Sequence, residues 1–201
     1  MSLTHMNFSR RYAGLKQVKT PGISVAEAAD QLRRLAYTEE RLMFLYASRV
    51  VTRPERDLKV LLGRLQFEAG LHADGLRQRI QELRVSAKRL KQSPDEKLTI
   101  FCDELEHIPG AYPFLAVLVD LVLPSLVEGY QEYLAITNQL ADYPSVRILR
   151  ANLNETEEHL RLLSALHADL VQGEEDVELA TIWISRLKAA LDLLEAVDLN
   201  R

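Results

Sequence analysis

The sequence predicts an all-α protein: an antiparallel four-helix bundle of two helical hairpins, with a short crossover helix and an extra C-terminal helix. Three observations carry that prediction. Glycine and proline are scarce, 8 and 7 among 201 residues, so few tight turns are available. Apolar residues recur at intervals of three and four over long stretches. No segment alternates with period two for more than a few residues, which removes strands.

The elements follow in order. Residues 1–24 read as an irregular N-terminal segment, broken at Gly14 and Pro21-Gly22, and residues 25–201 as one helical domain. Ser24 followed by Glu27 is a capping box that opens a helix from Val25 to about Val51. Thr52-Arg53-Pro54-Glu55 connects it to a second helix reaching about Leu90, with Pro54 suited to a first turn. Ser93-Pro94-Asp95-Glu96 predicts a Ser cap, with Pro and Glu in the first turn, for a short helix ending near His107. After Pro109-Gly110 a helix from about Pro113 to Ala141 is expected, kinked at Pro124. Asp142–Ser145 is a second short connector to a helix ending near Val171. Gln172-Gly173 then separates a last helix, about Glu175–Val197, with Trp183 as its docking anchor. Short connectors force antiparallel neighbours.

Bulk composition narrows the function classes. Hydrophobic residues at 47% and charged residues at 27% suit a packed globular chain and argue against disorder. A net charge of -4 gives the whole chain no attraction for nucleic acid. The basic run Arg84–Lys91 reads as a solvated helix end, where cations are favoured. The single Cys102 excludes an internal disulfide framework and fits a cytoplasmic location. The stretch Phe114–Leu126 is apolar but carries Asp120 and Pro124 and falls short of the about 18 residues of a membrane span. The N-terminus is charged and lacks a signal-type apolar segment, so no export address is expected. No Gly-rich phosphate loop, nucleophile elbow or zinc-type Cys pair is present.

Two apolar stripes are interrupted in the same way. On the second helix Leu58, Leu61, Leu65, Leu76, Ile80 and Leu83 share a face with Glu68 and His72. On the fifth, Ile148, Leu162 and Leu166 share a face with Asn152, Glu155 and His159. The first helix puts Glu39 on the line Leu32, Leu35, Leu42, Tyr46, with Glu40 beside it. The fourth carries Glu128 and, one turn on, Glu132. Glu40 precedes His72 by 32 positions and Glu128 precedes His159 by 31, the mark of a duplicated hairpin. An unpaired carboxylate in a bundle core is costly, so such groups persist when paired or coordinated. Several carboxylates meeting two imidazoles at one level form a divalent-metal environment suited to iron or manganese.

This arrangement resembles the ferritin-like superfamily of di-metal carboxylate proteins, whose bundles supply one Glu from each of two helices and a Glu-x-x-His motif from each of the others. The resemblance covers residues 25–171 and lies in architecture more than in sequence. It implies two divalent metal ions, iron or manganese. Glu40 and Glu128 would be the lone acids, and Glu68 with His72 and Glu155 with His159 the paired ligands. It also implies an oxidase or hydroxylase using iron and oxygen on a small-molecule substrate. The chain departs from the family in one respect: both pairs read Glu-x-x-x-His, with Ala69 and Thr156 three before each histidine. A local bulge, a substitute acid such as Glu158, or loss of the site would each accommodate that.

The remaining residues have plainer readings. Glu39, Glu40, Glu132, Glu157 and Glu158 fit solvated helix faces, His107 a C-terminal cap, and Tyr46, Tyr130 and Tyr133 the core or its boundary. His167, in Leu-His-Ala-Asp like His72, offers a rival repeat alignment without a Glu four before it. A second functional class stays open: a non-catalytic interaction or assembly module with a degenerate metal site, in which the Glu–His pairs are remnants or pH-sensitive contacts. Expected partners are a small-molecule substrate and, optionally, a second copy of the chain; neither nucleic acid nor membrane is indicated.

Overall fold

A computed structural model describes residues 22–52, 55–90, 92–170 and 173–198. Among these residues the protein is helical and contains no strand. The elements are α1 (Val25–Thr52), α2 (Arg56–Glu82), α3 (Ala87–Leu90), α4 (Glu96–Leu105), α5 (Tyr112–Ile136), α6 (Tyr143–Asp169) and α7 (Glu174–Asp198).

Local chemistry accounts for the ends. The capping box forms as expected: the Ser24 N–H donates to Glu27 Oε2 at 2.8 Å, and the Glu27 N–H to Ser24 Oγ at 3.2 Å. The start of α4 departs from expectation. Asp95, not Ser93, is the cap, accepting from the Lys97 and Leu98 N–H groups. Pro94 leads the chain round before the helix begins, and Ser93 Oγ bonds Thr99 Oγ1 instead. The expected continuous second helix stops at Glu82. Arg84 takes a left-handed φ of 66°, and the Val85 N–H reaches back to Ile80 O, closing a Schellman-type end with arginine where glycine is usual. The Pro54 turn and residues 1–21 lie outside the described residues.

Pro124 does not break α5. Residues Leu118–Val122 widen into a π turn, in which the Leu123 N–H bonds Leu118 O. Proline has no N–H to offer, and its ring collides with the carbonyl four residues back, so a wider turn relieves both problems. The continuous helix Tyr112–Ile136 is long and apolar enough to cross a membrane by length and composition, which the shorter Phe114–Leu126 reading missed. More than half of its most apolar window is buried against the rest of the protein, as in a core helix. It ends at Thr137, five residues before the expected connector, because Asn138 Oδ1 takes the N–H groups of Leu140 and Ala141 into a turn.

Four of the five long helices touch in sequence: α1 lies along α2, α2 on α6, α6 on α5, and α5 on α1. As numbering rises along α2 it falls along α6, from Glu68 beside His159 to His72 beside Glu155 and Arg79 beside Ser145. The two are therefore antiparallel. Gly22 lies against Asn138 and Leu35 against Gly129, so α1 and α5 are antiparallel as well. A Cβ at Gly22 would stand 2.5 Å from Asn138 N, so this approach needs glycine. The crossover helix α4 is pinned to α1 by Arg49, which donates to the carbonyls of Leu105 and Glu106 from above the Phe114 ring. The last helix packs on α4 and the first turns of α5. It docks mainly through Leu187 and Ala180; Trp183 is only partly buried, with Arg186 over its ring.

Candidate functional site

The two Glu–His pairs meet. Helix α2 presents Glu68 and His72 one turn apart, and the antiparallel α6 presents His159 and Glu155 at the matching levels. The pairs therefore close crosswise, each glutamate to the other helix's histidine. His72 Nε2 donates to Glu155 Oε2 at 2.8 Å, and His159 Nε2 to Glu68 Oε2. The imidazole rings stack loosely, with centroids 6.3 Å apart and planes at 25°. Both histidines are buried, while Glu155 is half-exposed and opens the cluster to solvent on the α6 side.

The third carboxylate is Glu39 of α1. It is buried, and its Oε1 accepts from His72 Nδ1 at 3.0 Å and from the Tyr130 hydroxyl of α5. Helices α1, α2, α5 and α6 thus all contribute to one buried network. Arg64 Nε donates to the other oxygen of Glu68 at 2.9 Å and closes the outer end. Thr156, buried one residue after Glu155, spends its hydroxyl on the Asn152 carbonyl. Asn152, one turn before Thr156 on α6, is also buried, and its side chain acts on the Tyr130 hydroxyl.

Charge follows the contacts. Burial opposes a positive His72, but hydrogen bonds and charge from Glu39 and then Glu155 outweigh it and hold its pKa above the ordinary histidine value. With both ring nitrogens facing carboxylates, the imidazolium suits the site: each N–H has an acceptor. Burial likewise opposes a charged Glu68, and the Arg64 and His159 bonds overcome it, leaving its pKa below the usual carboxylate value. Burial, reinforced by the Glu39 charge, pushes the Tyr130 phenol far up, so it stays a donor.

Of the residues the sequence singled out, Glu68, His72, Glu155 and His159 are brought together. Glu40 and Glu128 are not. Glu40 sits one position round α1 from Glu39, half-buried, and pairs with Arg77. Glu128 is exposed and lines, with Glu132, a separate groove of about 310 Å³ between α1 and α5. Glu39, set beside Glu40 as a surface charge, is the acid that enters the core; its place on the line Leu32, Leu35, Leu42 and Tyr46 was the available signal. Tyr130 carried no sequence signal beyond being aromatic. Among the described residues, no three His, Cys, Asp or Glu side chains already surround one point as a metal's ligands would.

The other readings resolve simply. His107 Nδ1 donates to Asp103 O at the end of α4, as a cap should. His167 lies against the Tyr112 ring, centroids 4.5 Å apart, away from the cluster. Tyr46 and Tyr133 are buried, and the Tyr133 hydroxyl donates to Asp142 Oδ2, which with Arg79 and Ser145 ties the ends of α2, α5 and α6 together. Glu158 pairs with Arg161 at the surface. Cys102 is buried, its thiol pushed up to about 12 by desolvation. Compared with known proteins, the chain matches no family model, no curated protein and no solved structure.

Proposed function

We propose that the protein is a ferritin-like bundle that binds divalent metal, iron or manganese, between α2 and α6, and that it acts as an oxidase or hydroxylase. The observation that carries the reading is the crosswise closure of Glu68 on His159 and His72 on Glu155, inside a core that would otherwise exclude such groups. The closed ring of long helices and the crossover between two hairpins support the ferritin-like arrangement.

The donors fit such a metal. Carboxylate oxygens with imidazole nitrogens suit iron and manganese. Glu68, His72, Glu155 and His159 would hold it. Glu39, already on His72 Nδ1, would orient that ring, the usual task of a carboxylate behind a ligating histidine. Tyr130 would in turn fix Glu39. On metal binding His72, whose other nitrogen stays on Glu39, would release the Nε2 proton it now directs at Glu155, so affinity would rise with pH. Bound iron would supply the redox capacity for oxygen chemistry. The chain's own residues supply the buried, hydrogen-bonded setting and the opening at Glu155.

One observation favours a second reading, a non-catalytic bundle with a degenerate site. Both nitrogens of His72 are already satisfied by carboxylates, so the cluster is self-sufficient as a buried ion-pair network. Metal analysis separates the two. Protein purified without chelators is expected to carry iron or manganese, and a His72→Ala/His159→Ala variant to lose it. Negligible metal in the wild type, even after growth with added iron and manganese, would leave the second reading standing.

A further inference from the structure

Among the described residues, the apolar side chains on the outer face of the α1–α2 hairpin are left exposed. Along α1 it carries Phe44 (55% exposed) and Val51 (81%), and along α2 Val60 (67%), Phe67 (66%) and Leu71 (54%). The hairpin register that puts Glu39 beside His72 continues toward the connector. It brings Phe44 level with Phe67, Ser48 with Gly63, and Val51 with Val60. The face therefore runs large, small, large along its length, and Arg64 and Ser48 are its main polar interruptions.

Gly63 is the informative residue. It sits inside α2, two turns from its start, where glycine weakens a helix relative to alanine. A Cβ there would meet nothing within 4 Å among the described residues, so their packing does not require glycine. A glycine that no internal neighbour demands, at the low point of an exposed apolar face, is what a close helix approach from outside requires.

We propose that this face is the interface of a two-fold symmetric dimer formed with a second copy of the chain. A two-fold axis through the Ser48–Gly63 low point lays each protomer's Phe44–Phe67 pair over the other's Val51–Val60 pair, and the helices cross closely at Gly63. One surface then serves both sides, as isologous pairing demands. The five exposed side chains offer on the order of 500 Å² of apolar area per protomer, at the upper end of what a monomer usually leaves bare. Two such faces bury about 1,000 Å² between them before any flanking residue is counted, the threshold of a specific interface. Arg64, one position from Gly63, would lie at the edge of the interface, near the outer end of the Glu68–His159 pair. The proposal does not depend on metal binding.

Sedimentation equilibrium of the full chain tests it. At about 50 µM, within reach of a micromolar interface of this size, the wild type should sediment at twice the 22.9 kDa chain mass. Gly63→Arg should sediment as a monomer with unchanged helical circular dichroism, because the space beside Gly63 is open within the protomer. Phe67→Glu should do the same, and Glu132→Arg, on the separate groove, should remain dimeric. A monomeric wild type overturns the proposal, including one that instead binds lipid vesicles. So does a Gly63→Arg variant that stays dimeric.

Discussion

Replacing Glu39 by glutamine tests whether the buried network, and not the neighbouring acid, stabilises the helical fold. Glutamine keeps the shape of the side chain and an oxygen for the Tyr130 hydroxyl. It removes the charge that faces His72 Nδ1 at 3.0 Å, and both partners lie in the core. Breaking one partner of a buried ion pair costs about 3–5 kcal/mol, because the remaining charge must be neutralised or left unpaired. Glu155 still faces the other nitrogen of His72 and is half-exposed, which places the expected loss at the lower end, about 3 kcal/mol. For a chain of this length that corresponds to a fall in Tm of about 6–12 °C. Glu40→Gln is the matched control. Glu40 pairs with Arg77 at the boundary of the protein, where both side chains keep contact with solvent (25% and 37% exposed), and solvent-screened pairs contribute about 0–1 kcal/mol. Thermal and urea unfolding, followed by circular dichroism on metal-free protein, measure both. Equal losses for the two variants would show that the sequence position, and not the buried contact, sets the effect, and the account of the cluster would be refuted.

Three further outcomes follow from particular residues. Arg84 occupies a left-handed φ of 66° at the end of α2, a conformation that costs a side-chain-bearing residue about 1–2 kcal/mol; Arg84→Gly should raise the urea midpoint by a comparable free energy. Cys102, with its thiol pushed up to about 12, should react with a thiol reagent at pH 8 far more slowly in the folded than in the urea-unfolded protein; equal rates would place it at the surface. In metal-free protein the raised pKa of His72 means that its contribution to stability is complete below the ordinary histidine value and is lost as pH rises through the folded value. The stability difference between wild type and His72→Gln should therefore shrink as pH increases from about 6 to 9, and a difference that grows would contradict the paired imidazolium.

The helices were legible because burial repeats every turn and the caps are local: Ser24 with Glu27 needs only four residues of sequence. The break after Glu82 was not legible. The residue in the left-handed position is arginine, and no glycine or proline marks it. The π turn was half-legible, since Pro124 announces a disturbance but not whether the helix kinks or widens. The site divides in the same way. Glu68, His72, Glu155 and His159 stand out because each interrupts an apolar stripe. Glu39 and Glu40 are adjacent, Glu39 on the apolar stripe of α1 and Glu40 beside it. Their roles are set by Tyr130 and His72 on one side and Arg77 on the other, partners that come from other helices. The crosswise pairing depends on the register of α2 against α6, which no local pattern in either helix contains.

The most direct test of the functional account is a calorimetric titration of chelator-treated protein with manganese(II), run at two pH values and in two buffers of different ionisation heat. The account predicts saturable binding with proton release that tightens as pH rises. Binding should be abolished in Glu68→Gln/Glu155→Gln and retained in Glu40→Gln/Glu128→Gln, because only the first pair of acids lies on the histidines. Absence of binding in the wild type, or equal binding in the two double variants, would contradict it.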